Sequence, residues 1–469
     1  MPKTAASTKP LTNVIVILAD DLGYGDVGVY GGKAIPTPNI DALANGGIRY
    51  TDGYVTAAVC APSRAALLAG RHQTRFGFEF NPVGRDAQMG MPAAEVTIAE
   101  MARKAGYSTS VVGKWHLGQT EGSHPLDQGF DSFYGTMGGA TNYYPDNSTG
   151  IVTAETGADG LTTRQRFPIL DGRSPVDPPG DLTDVLTNKA LEVLRKSSDR
   201  PFFLYLALTA PHTPLQASQS DVRPFDSMAT SHAKIYAALV TKLDQSVGRI
   251  VAELRASGKE NSTAIIFLSD NGCPNYVRGA CSNAPLSGYK AYPWEGGIRV
   301  PFILYAPGLT KGGLVQKGPV SSLDIMPTAA RLMRTAPPKL AEGRDLLARA
   351  GHPQTLFWRM GPNYAVRHGR WKLLVVNKAD SIQDLENILG SPVPDGIKAE
   401  KSSLGQWELL FDLQNDPGEK FDLSAKHPRQ VAILKAEFKK WDSKNVDPLF
   451  TSRRQFRTKI DGRMIQLFN

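Results

Sequence analysis

The run from Cys60 to Arg64 combines residue types that could do chemistry. A cysteine that acts as a nucleophile is normally a thiolate beside a histidine or a helix N-terminus. Here a proline and an arginine follow within four residues, in Cys60-Ala61-Pro62-Ser63-Arg64. This pattern indicates a cysteine that is chemically modified. The alternative is a buried structural cysteine in front of a helix, because a free cysteine usually behaves as a small hydrophobic residue.

Two acidic pairs could bind a metal ion. Asp20 and Asp21 follow one apolar run, and Asp270 and Asn271 follow another. Hard divalent ions such as Ca²⁺ or Mg²⁺ prefer oxygen ligands of this kind, whereas zinc prefers nitrogen or sulfur. A single aspartate pair is weak support, because aspartate commonly ends strands and caps helices. Two pairs that each follow a strand-like run favour a metal site.

Cationic and imidazole side chains also follow strand-like runs. Lys114 and His116 share the short segment 113–118, His212 lies in an Ala-Pro-His-Thr-Pro run, and Lys290 precedes an aromatic loop. Any one of them could be an ordinary hydrogen-bonding or solvated residue. Together they predict a cationic pocket suited to a tetrahedral oxyanion whose charge grows during reaction.

The elements that would carry these residues predict an α/β fold. Residues 13–19 form a continuous apolar run, which is typical of a strand buried on both faces of a parallel sheet. Ligands of such sheets bind at the carboxyl ends of the strands, where the candidate residues fall. We therefore predict a large doubly wound mixed sheet sandwiched by helices. The further strand-like runs are 109–112, 202–208, 264–268 and 302–305, and the helical patterns are 40–44, 97–105, 182–197 and 233–257.

The chain is expected to divide into a catalytic domain, residues 1–350, and a small α+β subdomain, residues 351–469. The second part contains hairpin-like runs followed by a helical pattern at 429–441, which predicts a small antiparallel sheet carrying a helix. Residues 143–179 are rich in Gly, Asp, Thr and Pro, and we expect them to form a long rim loop.

Composition limits the function classes. The 469 residues carry a formal net charge of +8, which favours an anionic partner. No nucleic-acid-binding signature accompanies this charge, and no apolar stretch is long enough to span a membrane. The first ten residues lack the apolar stretch of a secretory signal. We expect a periplasmic or secreted protein if a signal peptide has been removed, and otherwise a cytoplasmic one; a disulfide between Cys273 and Cys281 would require an oxidising compartment.

Several of these motifs, in their order along the chain, resemble the type I sulfatases of the alkaline phosphatase superfamily. The resemblance covers about residues 12 to 440. It includes the Cys60 motif with its extension to Arg71, and the C-terminal runs Ala365-Val366-Arg367-His368-Gly369-Arg370-Trp371-Lys372-Leu373 and Leu410-Phe411-Asp412-Leu413-Gln414-Asn415-Asp416-Pro417-Gly418-Glu419.

The resemblance implies specific roles. A formylglycine-generating enzyme would oxidise Cys60 to formylglycine before folding, and the hydrated aldehyde would attack sulfur. Asp20, Asp21, Asp270, Asn271 and an oxygen of modified Cys60 would hold Ca²⁺, with Mg²⁺ as an alternative. Arg64 and Lys114 would hold the formylglycine, His212 and Lys290 would contact sulfate and the leaving oxygen, and His116 would remove the proton of the second hydroxyl so that sulfate leaves.

The substrate is predicted less sharply than the reaction. We expect a sulfated poly- or oligosaccharide, because the predicted loops near the pocket carry residues that could stack on a sugar or pair with a second sulfate. Ordinary loop packing is the alternative for each of them. Other candidate functions are an arylsulfatase, a phosphonate monoester or phosphodiester hydrolase, and a non-catalytic binder of sulfated glycans. The candidate substrate-binding residues are Tyr143, Tyr144, Tyr276, Arg278 and Trp294.

Overall fold

The computed structural model describes residues 12–82, 89–154, 167–196, 200–277, 279–348, 354–376 and 406–450, together with two strands within 455–468. The α-helices are α1 (Pro38–Asn45), α2 (Cys60–Ala69), α3 (Ile98–Lys104), α4 (Leu182–Lys196), α5 (Gln219–Val222), α6 (Ser231–Ala256), α7 (Glu295–Ile298), α8 (Ile325–Leu332) and α9 (Pro428–Asp442). The strands are β1 (Asn13–Ala19), β2 (Ile48–Tyr50), β3 (Gly53–Tyr54), β4 (Ser108–Lys114), β5 (Ser132–Thr136), β6 (Ile151–Ala154), β7 (Ile169–Asp171), β8 (Ser174–Val176), β9 (Phe202–Ala207), β10 (Leu215–Ser218), β11 (Thr263–Ser269), β12 (Phe302–Tyr305), β13 (Leu314–Gln316), β14 (Val320–Ser321), β15 (Thr355–Met360), β16 (Asn363–His368), β17 (Trp371–Val376), β18 (Trp407–Asp412), β19 (Gln455–Ile460) and β20 (Arg463–Phe468).

A ten-stranded mixed sheet forms the centre of the fold, in the order β13-β2-β12-β11-β1-β9-β4-β5-β7-β8. The strands β11, β1, β9, β4 and β5 run parallel to one another. All seven residues of β1 are buried, as its continuous apolar run predicts. The parallel arrangement places the carboxyl ends of these five strands along one edge.

Helices cover both faces of the sheet. Val14, Val16 and Leu18 of β1 belong to one apolar cluster with residues of α2, α3 and α8. The alternating Ile15 and Ile17 belong to a second cluster with α1, α4 and α6. Successive side chains of a strand point to opposite faces, so each helical layer has its own core. The predicted sandwich is confirmed.

The small C-terminal sheet is antiparallel, in the order β15-β16-β17-β18. Helix α9 packs against one face, where Val366 and Leu434 share a cluster. The opposite face contributes Trp358 and Leu374 to the same cluster as Val14 of β1. The predicted sheet and helix are confirmed, while a boundary at residue 350 stays a prediction because 349–353 lie outside the described residues.

One sequence-based expectation needs correction, and two further features were not assigned from the sequence. The segment 143–179 is not only a rim loop: β7 and β8 extend the large sheet, and β6 pairs with β10. The strand at 302–305 runs antiparallel to β11. Helices α2 and α8 were not assigned from the sequence, and α2 begins at Cys60 itself. Among the described residues, no helix is both long and apolar enough to cross a lipid bilayer.

Candidate active site

The carboxyl ends of four neighbouring parallel strands bring the candidate residues together. Asp20 and Asp21 follow β1, and Asp270 and Asn271 follow β11. Lys114 is the last residue of β4, with His116 two residues beyond it, and His212 follows β9. Cys60, Arg64 and Lys290 reach the same place from outside the sheet, the first two on α2. The structure therefore assembles all ten predicted catalytic and metal-binding residues.

Hydrogen bonds donated by backbone N–H groups connect the ends of β1 and β11. The Asp21 N–H donates to Oδ1 of Asp270 at 3.1 Å, and the Asp270 N–H donates to the Ala19 carbonyl at 3.0 Å. Asp21 has a positive φ of 66°, an uncommon conformation for a residue with a side chain. This turn allows the side chains of Asp20 and Asp21 both to face Cys60.

The Cys60 thiol lies against two carboxylates in the protein interior. Its Sγ is 3.7 Å from Oδ1 of Asp20 and 3.8 Å from Oδ1 of Asp21, and the residue is 1% exposed. Burial raises the pKa of this thiol to about 12, although Lys114 and Lys290 act in the opposite direction. A thiol with this pKa is protonated at neutral pH, so an unmodified Cys60 would be a poor nucleophile.

Three buried ion pairs surround Cys60. Each acidic side chain has one cation within 3 Å, so three carboxylates are matched by three positive charges. Buried charges normally require such partners. The pairs are Arg64 Nη2 with Asp270 Oδ2 at 2.7 Å, Lys114 Nζ with Asp20 Oδ2 at 2.7 Å, and Lys290 Nζ with Asp21 Oδ1 at 2.7 Å.

These pairs keep two carboxylates ionised despite their burial. Burial alone would raise the pKa of Asp21, but Lys290 and then His212 outweigh it, and the pKa is lowered. The pKa of Asp270 is lowered in the same way, with Arg64 as the main counter-charge. Both side chains can therefore act as charged oxygen ligands or proton acceptors at neutral pH.

His116 is held as a neutral imidazole. Burial, followed by the nearby Lys114 and Arg64, lowers its pKa well below the usual value. Its Nδ1 is buried and has no hydrogen-bond partner among the described residues. The Thr141 hydroxyl donates to the Phe167 carbonyl at 3.0 Å. A neutral ring with an unpartnered nitrogen can accept a proton during a reaction.

His212 has its ring oriented by its neighbours. Its Nδ1 lies 2.6 Å from the Thr213 carbonyl, which can only accept, so this nitrogen carries the proton. Its Nε2 is 3.5 Å from Oδ2 of Asp21 and 3.4 Å from Nζ of Lys290. Burial lowers the pKa of His212. The pair of His212 and Lys290 is placed to share a proton with a bound oxygen.

The residues at the strand ends suit a hard cation. One carboxylate oxygen of Asp20, one of Asp21, Cys60 Sγ and a ring nitrogen of His212 all lie within 4.8 Å of one another. Asn271 donates its amide N–H to Oδ1 of Asp21 at 2.7 Å, which leaves its Oδ1 buried without a partner in the described part of the chain. A buried, unpartnered amide oxygen next to ionised carboxylates is the donor set that Ca²⁺ and Mg²⁺ prefer.

The residues expected to bind substrate divide into distinct groups. Tyr276 reaches the site, where its hydroxyl donates to Oδ2 of Asp21 at 3.2 Å. Tyr144 is half-buried and donates to Asp181 at 2.7 Å.

Tyr143 and Trp294 were expected to stack on a sugar, but they are 1% and 0% exposed, so neither offers a ring face to a ligand. Arg278 lies outside the described residues.

Tyr143 is hydrogen-bonded to the turn that carries His212. Its hydroxyl lies 2.8 Å from the Thr209 carbonyl and 2.9 Å from the His212 carbonyl, across the turn that presents His212.

The structure also joins Cys273 and Cys281 in a disulfide next to the loop of Tyr276. Sequence reasoning did not single out Glu295, a fully buried carboxylate five residues after Lys290. The sequence feature that could have identified Glu295 is a charged residue between apolar neighbours.

Known proteins share this fold and much of this sequence. A family model described as Sulfatase matches residues 12–335. The N-acetylgalactosamine-6-sulfatase of Canis lupus familiaris is 32% identical over 461 residues, which cover 92% of this chain and 85% of that protein. Arylsulfatase A of Homo sapiens is 34% identical, with 88% and 83% covered. The structure of Ps i-CgsB in complex with k-i-k-neocarrahexaose superposes with a TM-score of 0.81 at 31% identity, covering 94% of this chain and 95% of that one.

The fold and the site define a member of the alkaline phosphatase superfamily, with a large mixed sheet that carries acidic residues at its strand ends. Within that superfamily, the chain belongs to the type I sulfatase family and is a sulfuric ester hydrolase.

Proposed function

We propose that this protein releases inorganic sulfate from a sulfated poly- or oligosaccharide, with residue 60 acting as formylglycine. The observation that carries the proposal is the position of Cys60, which begins α2 inside a ring of three carboxylates and three cations. Its thiol, with a pKa raised to about 12 by burial, is unsuited to nucleophilic attack at neutral pH. Oxidation to an aldehyde would give, once hydrated, a nucleophilic hydroxyl and a second hydroxyl whose deprotonation allows sulfate to leave.

We propose that Asp20, Asp21, Asp270 and Asn271 hold Ca²⁺, with residue 60 as a further ligand and Mg²⁺ as an alternative ion. Such an ion supplies positive charge that acidifies a hydroxyl and stabilises the growing charge on sulfate oxygens. Support comes from the unpartnered Oδ1 of Asn271 and from the lowered pKa of Asp21 and Asp270.

The lysine, arginine and histidine side chains of the site would each have a separate role. Lys114 and Arg64 are fully buried and would orient residue 60 and its neighbours. Lys290 and His212 lie 3.4 Å apart and would bind sulfate and pass a proton to the leaving oxygen. His116, neutral and unpartnered at Nδ1 among the described residues, would accept the proton of the second hydroxyl.

A sulfated carbohydrate is the substrate class that the relatives favour. One of them is an N-acetylgalactosamine-6-sulfatase, and the structure of another was solved in complex with k-i-k-neocarrahexaose. The net charge of +8 agrees with an anionic polymer. Such a role also predicts export from the cytoplasm and maturation by a formylglycine-generating enzyme before folding.

The test begins with a mass spectrum of the peptide that contains Cys60. We expect the aldehyde in place of the thiol, and release of sulfate from one or more members of a panel of sulfated oligosaccharides. The Cys60→Ala variant should release none. Aldehyde-containing protein that hydrolyses aryl sulfates but no oligosaccharide would contradict the carbohydrate assignment.

Arylsulfatase activity is the second candidate, because human arylsulfatase A is 34% identical. Rates on an aryl sulfate, an aryl phosphonate and the oligosaccharide panel separate it from a phosphonate monoester or phosphodiester hydrolase. Binding of sulfated glycans without any turnover by the aldehyde-containing protein would instead support a non-catalytic binder.

A further inference from the structure

The ammonium of Lys290 is carried by a segment, residues 287–299, that contains only the short helix α7. Backbone hydrogen bonds connect this segment to the chain near Cys60 and to the chain near Asn271. The Ala291 N–H donates to the Ala58 carbonyl at 2.8 Å, two residues before Cys60. The Gly297 carbonyl accepts from the Gly272 N–H at 3.0 Å, next to Asn271. A shift of this segment would therefore move Lys290 and disturb the neighbours of Cys60 and Asn271.

Glu295, at the start of α7, anchors this segment in the interior. The carboxylate is fully buried and accepts a hydrogen bond from the Tyr54 hydroxyl at 2.5 Å. Nζ of Lys372 lies 3.0 Å from its other oxygen. A buried carboxylate with these partners stays ionised: burial opposes this, but Lys372 outweighs it and the pKa of Glu295 falls to about 2.

Two of the contacts to Glu295 come from the small C-terminal sheet. Lys372 lies on β17, and Glu419 follows β18 in a tight turn. Lys372 Nζ is 2.8 Å from Oε1 of Glu419, and Oε2 of Glu419 accepts the backbone N–H of Glu295 at 2.7 Å. All three residues are 0% exposed. Phe411 of β18 adds an apolar contact, with its ring centroid 5.7 Å from that of Trp294.

The physical effect of such a network is to select one geometry. Burying charged groups costs solvation, so a buried ion pair contributes little net stability. Removing one partner is costly, however, because it leaves a buried donor or acceptor without the hydrogen bond that it made. The C-terminal motifs that contain Lys372 and Glu419 take no part in the proposed chemistry, and neither residue touches Cys60 or its ion pairs.

We propose that Glu419 and Lys372 are positioning residues that fix the segment 287–299, and through it the ammonium of Lys290 against Asp21. The inference rests on the proposed function, since it assigns a catalytic use to Lys290. The C-terminal sheet would thus have a role in the active site, although this sheet supplies no group to the reaction.

The test compares three variants of the aldehyde-containing protein. Glu419→Met keeps the length of the side chain but removes the acceptor for the Glu295 N–H, whereas Glu419→Gln keeps an acceptor. Lys435→Met is the control, because Lys435 pairs with Glu408 at the partly exposed side of the same sheet. Amide hydrogen exchange in residues 287–299 and in β1 is measured together with kcat and KM for sulfate release.

We expect Glu419→Met to speed exchange in 287–299 by about tenfold or more without a matching change in β1, and to lower kcat/KM for sulfate release by about tenfold or more. Glu419→Gln should recover most of both effects, and Lys435→Met should match the parent. Unchanged exchange in 287–299, or equal acceleration in β1, would overturn the inference. The exchange result does not depend on turnover, so a parent protein without sulfatase activity would refute the proposed function separately.

Discussion

The imidazole of His116 packs directly against the backbone of Gly139. A Cβ at residue 139 would lie 2.8 Å from both Cε1 and Nε2 of the ring, closer than atoms of this kind approach one another. Gly139 therefore sets the position of a ring that no hydrogen bond to Nδ1 orients among the described residues.

The Gly139→Ala variant should displace this ring. We expect kcat for sulfate release to fall by about 10- to 100-fold, because a displacement of about 1 Å in a catalytic group is sufficient for such a loss. Thr141→Ser, in the same segment, keeps its hydroxyl for the Phe167 carbonyl and should retain the parent rate. Equal rates in Gly139→Ala and the parent would show that His116 can move without consequence.

Removal of the proposed Ca²⁺ should lower both activity and thermal stability. An ion that binds only the folded state stabilises it by about 2.7 kcal/mol at a concentration 100 times its Kd. Asn271→Ala, which removes the unpartnered Oδ1, should weaken Ca²⁺ binding by about tenfold or more in calorimetric titration of chelator-treated protein. Asn188→Ala, at an exposed position of α4, is the control. A midpoint of unfolding that is independent of Ca²⁺ would argue against the site.

Asp26 should make the protein less stable as the pH rises. Burial raises its pKa to about 7, although Tyr236, Ser282 and Gly23 donate hydrogen bonds to its carboxylate. The ordinary pKa of an unfolded aspartate is about 4, so between these values the native state binds more protons than the unfolded state. The free energy of unfolding should therefore fall by up to about 4 kcal/mol as pH rises from about 4 to about 7.

Denaturant titrations at pH 5 and pH 8 test this dependence. The parent should lose more stability between the two than Asp26→Asn, which has no carboxyl proton to lose. Tyr236→Phe removes a donor to the carboxylate and should extend the decline to higher pH. The same decline in Asp26→Asn as in the parent would assign it to other groups.

The disulfide between Cys273 and Cys281 should stabilise the loop that carries Tyr276. The two residues are eight apart in sequence, and closing a loop of this length in the unfolded chain corresponds to about 2.5 kcal/mol. The double variant Cys273→Ser/Cys281→Ser should lose roughly this amount in denaturant titrations. Peptide mapping without reduction should recover residues 273 and 281 in one linked species. Two free thiols in protein isolated under oxidising conditions would contradict the pairing.

The strand ends of the site were predictable because their signal is local. A continuous apolar run such as 13–19 predicts a strand buried on both faces, and the polar residues that follow must then lie at its carboxyl end. The same reasoning located Asp270 and His212. The resemblance to type I sulfatases supplied the roles of Cys60 and Lys290, which lie on no strand.

The sequence alone could not predict which residues of the site pair with one another. Lys290 and Asp21 pair across 269 residues, and only the completed sheet brings them together. Tyr143 and Trp294 were expected in loops near the pocket, yet hydrogen bonds and ring packing draw both into the interior. The strands β7 and β8 escaped prediction because each is three residues long.

The parallel pairing of β1 with β11 limits when the site can close during synthesis. The site around Cys60 is complete only after β11 has joined β1, since Asp270 and its pair with Arg64 arrive with that strand. At a synthesis rate of about 5 to 20 residues per second, β11 emerges roughly 10 to 40 s after residue 60. The length of chain between Cys60 and β11 thus provides a time interval in which the proposed oxidation of Cys60 can occur on an open chain.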